Sequence, residues 1–151
     1  MLSRRGFVLG TAGLVFVGMR APWLHALAGA PMTIYKSKTC GCCRNWVDHV
    51  KAAGFSTSVH DEEELDQLKD ELGVPKAVRS CHTALVGGYL IEGHVPATDI
   101  RRLLAERPKV AGLAVPGMPA GSPGMAEPGK EGDYEVVAFQ SNGSTSRFAA
   151  H

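Results

Sequence analysis

Apolar and polar positions recur along the chain in short segments, and each segment names one element. Thr33-Ile34-Tyr35-Lys36 reads as a short strand, and a helical period follows it, with Cys43, Val47 and Val50 at i, i+4 and i+7 on one face. Gly54 is placed to end that helix, since glycine tolerates the left-handed conformation of a helix C-terminus. Phe55 to Val59 alternates as a second strand. Asp61, with Glu64 three residues on, has the form of a capping box. It predicts a helix striped by Leu65, Leu68 and Leu72 and stopped by Gly73 and Pro75. Thr83 to Val86 and Tyr89 to Ile91 are β-rich runs separated by Gly87-Gly88, a strong hairpin signal. Pro96 opens a last helix with Ile100, Leu103 and Leu104 on one face.

The predicted order, β-α-β-α-β-β-α, is α/β and that of the thioredoxin-like fold, with a cysteine motif between the first strand and the first helix. Beyond Pro108 the composition changes. The run Pro116-Gly117-Met118-Pro119-Ala120-Gly121-Ser122-Pro123-Gly124-Met125 cannot be a helix or a central strand, so a loop or extended cover is expected. Glu135 to Phe139 and Ser146 to Ala149 predict a C-terminal β-hairpin turning at Asn142-Gly143. With no internal repeat, residues 32–151 make one domain.

The first 28 residues read as an export signal, not as part of the fold. Ser3-Arg4-Arg5-Gly6-Phe7-Val8 has the twin-arginine form, an apolar stretch runs from Val8 to Val17, and Ala26-Leu27-Ala28 is a small-x-small cleavage site. A membrane anchor is the alternative, but a spanning helix needs roughly 20 apolar residues, and this stretch is short and broken by glycines. A cleaved signal places the mature domain in the periplasm, with no membrane attachment. The chain carries 16 Lys and Arg against 15 Asp and Glu, and the signal holds Arg4, Arg5 and Arg20 with no acidic residue. Cleavage therefore leaves a slightly negative domain without a basic stripe, which gives no reason to expect a nucleic-acid partner.

All four cysteines lie in the mature part, three of them in Cys40-Gly41-Cys42-Cys43 and the fourth at Cys81. Disulfide staples that link distant parts of a chain do not cluster like this, so the spacing points to chemistry. At the tip of a helix, unpaired N–H groups and the helix dipole favour thiolates, and a thiol pKa falls below its free value of about 8.5. Cys40 and Cys43 form a C-x-x-C pair; Cys42 is about 100° around the helix from Cys43. A thioredoxin-type oxidoreductase needs only two thiols, and a third adjacent one opens competing disulfides. For a soft metal, extra thiolates are an advantage. Cys81 precedes the hairpin strand, where such a fold passes beside the motif; it is either the fourth ligand or a small buried hydrophobe.

Cu(I), with the option of several ions, is the first metal expected. Zinc ranks second, because structural zinc sites use two separated pairs of ligands. His82 can add an imidazole, and His94 either faces the site or caps a surface turn. Met118 and Met125 offer thioethers or fill gaps in a core. Arg44 and Lys38 flank the motif and either support thiolates or are plain surface charge.

The block Lys36-Ser37-Lys38-Thr39-Cys40-Gly41-Cys42-Cys43 resembles a known signature. So do Arg79-Ser80-Cys81-His82-Thr83, the stretch Val86-Gly87-Gly88-Tyr89 through Ile91-Glu92-Gly93-His94-Val95-Pro96, and Gly112-Leu113-Ala114-Val115-Pro116-Gly117-Met118-Pro119. Together they resemble the family of the bacterial copper-resistance protein CopG, formerly a domain of unknown function, from about Met32 to the C-terminus. The resemblance implies a thioredoxin-like, periplasmic, copper-binding protein whose cysteines hold a copper cluster, here Cys40, Cys42, Cys43 and Cys81. Two functions follow as expectations. One is a protein that sequesters or passes on Cu(I) among other periplasmic copper-handling proteins, with Cu(I)/Cu(II) interconversion as an extension. The other is a thiol-disulfide oxidoreductase using Cys40 and Cys43.

Overall fold

A computed structural model of the chain describes residues 29–127 and 129–151; the expected export signal lies outside the described residues. Among the described residues no helix is long and apolar enough to cross a membrane. The chain runs through β1 (Pro31–Lys36), α1 (Gly41–Ala52), β2 (Ser56–Asp61), α2 (Leu65–Glu71), a 3-10 turn at Lys76–Val78, β3 (His82–Val86), β4 (Tyr89–Glu92) and α3 (Ala97–Glu106). This is the expected order. It continues into β5 (Gly112–Ala114), β6 (Glu135–Phe139) and β7 (Thr145–Ala150), so the protein is α/β, and the strands among the described residues form a seven-stranded sheet in the order β2-β1-β3-β4-β5-β6-β7.

Strand parity sets the layers. Met32, Ile34, Ala84, Val86, Ile91, Leu113, Val136 and Ala138 point to one face. There the apolar stripe of α1 (Trp46, Val47, Val50) and that of α3 (Ile100, Leu103, Leu104) cover them. The alternate positions Ala114 and Phe139 point to the other face, under Val74 and Val78 beside α2. The β3–β4 turn has positive φ at both Gly87 and Gly88 (56° and 88°), as a two-residue hairpin requires.

Two expectations are corrected. The capping box does not form: Asp61 ends β2 and pairs with Lys36, and the helix begins only at Leu65, behind Glu64, which makes no side-chain cap. The Leu65, Leu68 and Leu72 stripe is only half-buried, and the fully buried side chain of α2 is Lys69, matched with a charge on the sheet. Between α3 and the Pro/Gly-rich run, which is loop as expected, Gly112–Ala114 forms a further strand that the sequence pattern did not announce, paired in parallel with Leu90–Glu92. The C-terminal hairpin falls where expected and extends the sheet from β5.

Candidate metal centre

Register brings distant residues to one end of the sheet. β1 and β3 are antiparallel with Lys36 opposite His82, so the end of β1 lies beside the start of β3. β3 and β4 are antiparallel with Thr83 opposite Glu92, which puts the end of β4 there too. β5 runs parallel to β4 and delivers the Pro/Gly-rich segment to the same end. The Cys40–Cys43 motif after β1, Cys81-His82 entering β3, and Gly93-His94 leaving β4 therefore meet.

The Sγ atoms of Cys40, Cys42, Cys43 and Cys81 all lie within 4.8 Å of one another. Cys40 is the N-cap of α1, and its sulfur accepts the Cys43 N–H at 3.3 Å. Cys40 and Cys43 are joined in a disulfide with Cα atoms 5.4 Å apart, while Cys42 and Cys81 are free thiols. Cys42 Sγ is 3.5 Å from Cys40 Sγ, and Cys43 Sγ lies 3.6 Å from the Cys81 carbonyl oxygen. Cys43 is fully buried, whereas the other three are half-buried. The lowered thiol pKa expected at the helix tip does not extend to Cys81. Burial, and then the neighbouring Cys42 thiol, push Cys81 up to about 12. Without metal, Cys81 is a neutral thiol, and a ligand ion must displace its proton.

Both histidines singled out in the sequence reach this point, fully buried. Cys81 Sγ is 3.3 Å from His82 Nδ1 and 3.0 Å from His94 Nε2. Burial lowers the pKa of each, aided at His82 by His94 and Lys69, so both rings are neutral imidazoles at neutral pH. His94 Nδ1 lies 2.7 Å from the Pro123 carbonyl. A carbonyl can only accept, so Nδ1 carries the proton and the Nε2 lone pair faces Cys81, the arrangement that prepares a histidine for a metal. His82 packs on Trp46 (ring centroids 4.3 Å apart), and its Nε2 is buried without a hydrogen-bond partner among the described residues. Trp46 is a buried packing residue, and its Nε1–H donates to the Val95 carbonyl at 2.8 Å. Four sulfurs and two neutral imidazoles suit a soft or borderline metal ion far better than a hard one.

Behind the sulfurs lies a clamp. The Glu92 carboxylate, fully buried, accepts from the Lys69 ammonium, from Ser80 N–H at 2.7 Å and from Thr83 Oγ1–H at 2.6 Å. Lys69 also donates to the Ser80 carbonyl at 2.8 Å. Both backbone groups of Ser80 are thus held, one residue before Cys81. Burial raises the Glu92 pKa against the pull of Lys69, Thr83 and Ser80.

The Pro/Gly-rich segment is a strap pinned over the site. Ser80 Oγ–H donates to the Gly117 carbonyl, Asn45 Nδ2–H to the Gly124 carbonyl at 3.3 Å, and His94 to Pro123. Gly124 has φ +86°, and a Cβ there would sit 2.7 Å from Trp46 N and 3.0 Å from the Cys42 carbonyl oxygen. Only glycine lets the strap lie this close to α1. Of the strap's methionines, Met118 is 54% exposed and Met125 half-buried. Arg44 and Lys38 are exposed, with Arg44 donating to the Lys38 carbonyl. His49, on α1, is half-buried and accepts the Ala97 N–H at 3.0 Å.

Sequence reading missed Lys69, Glu92 and the Pro123 carbonyl. A lone lysine in a leucine-rich helix was a usable signal for the first. The other two depend on tertiary pairing.

A family model described as a protein of unknown function, DUF411, matches residues 78–125, which hold Cys81, His82, His94 and the strap. No curated protein sequence matches the chain significantly. Two solved structures, titled copper resistance protein CopG, form 1 and form 2, each share 41% sequence identity with it. Each comparison covers 82% of this chain and 98% of the other, with a TM-score of 0.75. At that identity, over nearly the whole length of the relatives, the chain belongs to the family of the copper resistance protein CopG.

Proposed function

We propose that the chain is a periplasmic copper-binding protein that takes Cu(I) as cargo through Cys40, Cys42, Cys43 and Cys81, in copper resistance or homeostasis. The observation that carries this reading is the convergence of the four sulfurs within 4.8 Å. Thiolate sulfur selects Cu(I), and sulfurs this crowded can bridge more than one ion. His82 and His94 stand beside Cys81 as further donors. The thioethers of Met118 and Met125, on the strap, are secondary candidates. Zinc ranks second, since three sulfurs come from one four-residue stretch and not from two separated arms. The twin-arginine-type leader puts the binding domain in the periplasm, where other copper-handling proteins would supply or receive the ion.

Full loading requires the Cys40–Cys43 bridge to be open. A dithiol reductant supplies the two electrons and two protons that convert the disulfide into two thiols, and is itself oxidised to a disulfide. Each thiol that ligates then gives up its proton. The clamp on Ser80 holds Cys81 facing the motif throughout.

Elemental analysis tests this reading. The mature protein, reduced and loaded under anaerobic conditions, is expected to retain copper through desalting, and Cys42→Ser and Cys81→Ser each to lower the stoichiometry. Full copper content in both variants would overturn the four-thiol site.

The disulfide itself favours a second reading, thiol-disulfide exchange, in which half-exposed Cys40 is attacked and buried Cys43 resolves. Two further thiols within 4.8 Å would divert the mixed disulfide, so metal binding ranks first. Insulin reduction that depends on Cys40 and Cys43 alone would reverse that order.

A further inference from the structure

Closing the Cys40–Cys43 bridge removes two of the four sulfurs as ligands, yet leaves a second donor group intact. Cys81 Sγ, a ring nitrogen of His82 and one of His94 lie within 4.8 Å of one another, with the sulfur 3.3 Å and 3.0 Å from the two nitrogens. Two ligands of a tetrahedral ion, each about 2.0–2.3 Å from the metal, sit on the order of 3.5 Å apart. The separations of 3.3 Å and 3.0 Å are close to that before any ion arrives. His94 presents a free Nε2 lone pair because its Nδ1–H is committed to the Pro123 carbonyl. The Cys42 thiol, within 4.8 Å of Cys81 Sγ, completes a set of two sulfurs and two nitrogens. That set suits a borderline divalent ion, whereas four thiolates suit a soft monovalent one. Both imidazoles are fully buried and both thiols half-buried, so the ion approaches from the sulfur side.

We propose that the disulfide-closed protein binds one borderline divalent cation of the Zn²⁺ class through Cys81, His82 and His94, with Cys42 as the fourth ligand. Opening the bridge then switches the pocket toward Cu(I). The divalent site stands on its own, whereas the switch rests on the copper reading of the open state. Binding is not a redox step: one ion enters, the two thiols ionise, and two protons leave. The switch needs an external dithiol or phosphine, which gives two electrons to the disulfide.

The test uses the full mature domain, oxidised, with the single bridge verified by alkylation and mass measurement. Co²⁺ is the spectroscopic probe and Zn²⁺ the competitor. The expected result is one Co²⁺ per chain, with the visible bands of a tetrahedral ion, a sulfur-to-metal charge-transfer band in the near ultraviolet, and displacement by Zn²⁺. Cys81→Ser and His94→Gln should each weaken binding at least tenfold, with circular dichroism confirming the fold. Reduction by a phosphine followed by Cu(I) should release the Co²⁺.

Absence of tetrahedral bands in the oxidised wild-type protein, or bands unchanged in both variants, overturns the divalent site. Co²⁺ retained after reduction and Cu(I) addition overturns the switch. If reduced protein takes up no Cu(I) in a separate titration, the copper reading fails while the divalent result still stands.

Discussion

Replacing Lys69 by Met removes one member of the buried pair and leaves Glu92 among groups chosen for a carboxylate. Both side chains are essentially inaccessible, at 2% and 0% exposure, so water cannot take the place of the ammonium. An uncompensated buried charge costs about 3–5 kcal/mol. The Ser80 carbonyl also loses its Lys69 donor, a further cost of about 1–3 kcal/mol if it stays unpaired. Glu92 can recover part of this by taking a proton, as burial already raises its pKa. The expected net loss is therefore about 3–5 kcal/mol, a large part of the roughly 5–15 kcal/mol that holds a domain together.

The double variant Lys69→Met/Glu92→Gln removes both charges at nearly constant volume and should cost less than about 2 kcal/mol. Urea denaturation, followed by far-ultraviolet circular dichroism, measures each. The single-variant penalty should also shrink as the pH falls. A raised carboxyl pKa favours the protonated folded state, so Lys69→Met loses least where Glu92 is neutral. A single-variant cost under about 1 kcal/mol, or a double variant less stable than the single, would refute the assignment of this pair as a mutually dependent clamp.

Gly124→Ala places a Cβ against the α1 backbone at φ +86° and should destabilise the protein by about 1–3 kcal/mol, read as a lowered melting temperature; an unchanged melt would mean that the strap does not hold this position. His49, His82 and His94 all have pKa values lowered in the fold, so the unfolded chain binds more protons as pH falls below about 6.5. Stability of the metal-free protein should thus be complete above that pH and decline beneath it, and denaturation midpoints at pH 7.5 and pH 5 check the sign. His49→Gln should reduce the decline, and an equal slope in the variant would exclude His49 as a contributor. Trp46→Phe keeps an aromatic ring against His82 but strands the Val95 carbonyl, at an expected cost of about 1–3 kcal/mol in the same denaturation assay.

The parts of the fold legible in the sequence are those set by local periodicity. The stripes of α1 and α3 and the β3–β4 hairpin depend on neighbours within a few residues, and so does the turn at Asn142-Gly143. The failures occurred where a distant partner decides. Asp61 looks like a helix cap until Lys36 claims it for the end of β2. Lys69 breaks the rule that lysines face water because Glu92, 23 residues away, lies beneath it. Gly112–Ala114 is too short to show alternation and becomes a strand only through pairing with β4.

At the centre itself, the clustering of Cys40, Cys42 and Cys43 was visible directly. The convergence of Cys81 followed from the expected topology. The backbone carbonyl of Pro123, which sets the His94 tautomer, has no side-chain signal for a sequence to display. The disulfide between Cys40 and Cys43 was one option that C-x-x-C spacing allows, and spacing alone does not say whether it is closed.

X-ray absorption at the copper edge of the reduced, Cu(I)-loaded protein reads the ligands of the four-sulfur site themselves. The expected result is an edge characteristic of Cu(I) and a first shell dominated by sulfur, with that sulfur contribution reduced in Cys81→Ser. A first shell of nitrogen or oxygen alone, or a sulfur shell indifferent to the loss of Cys81, would contradict it.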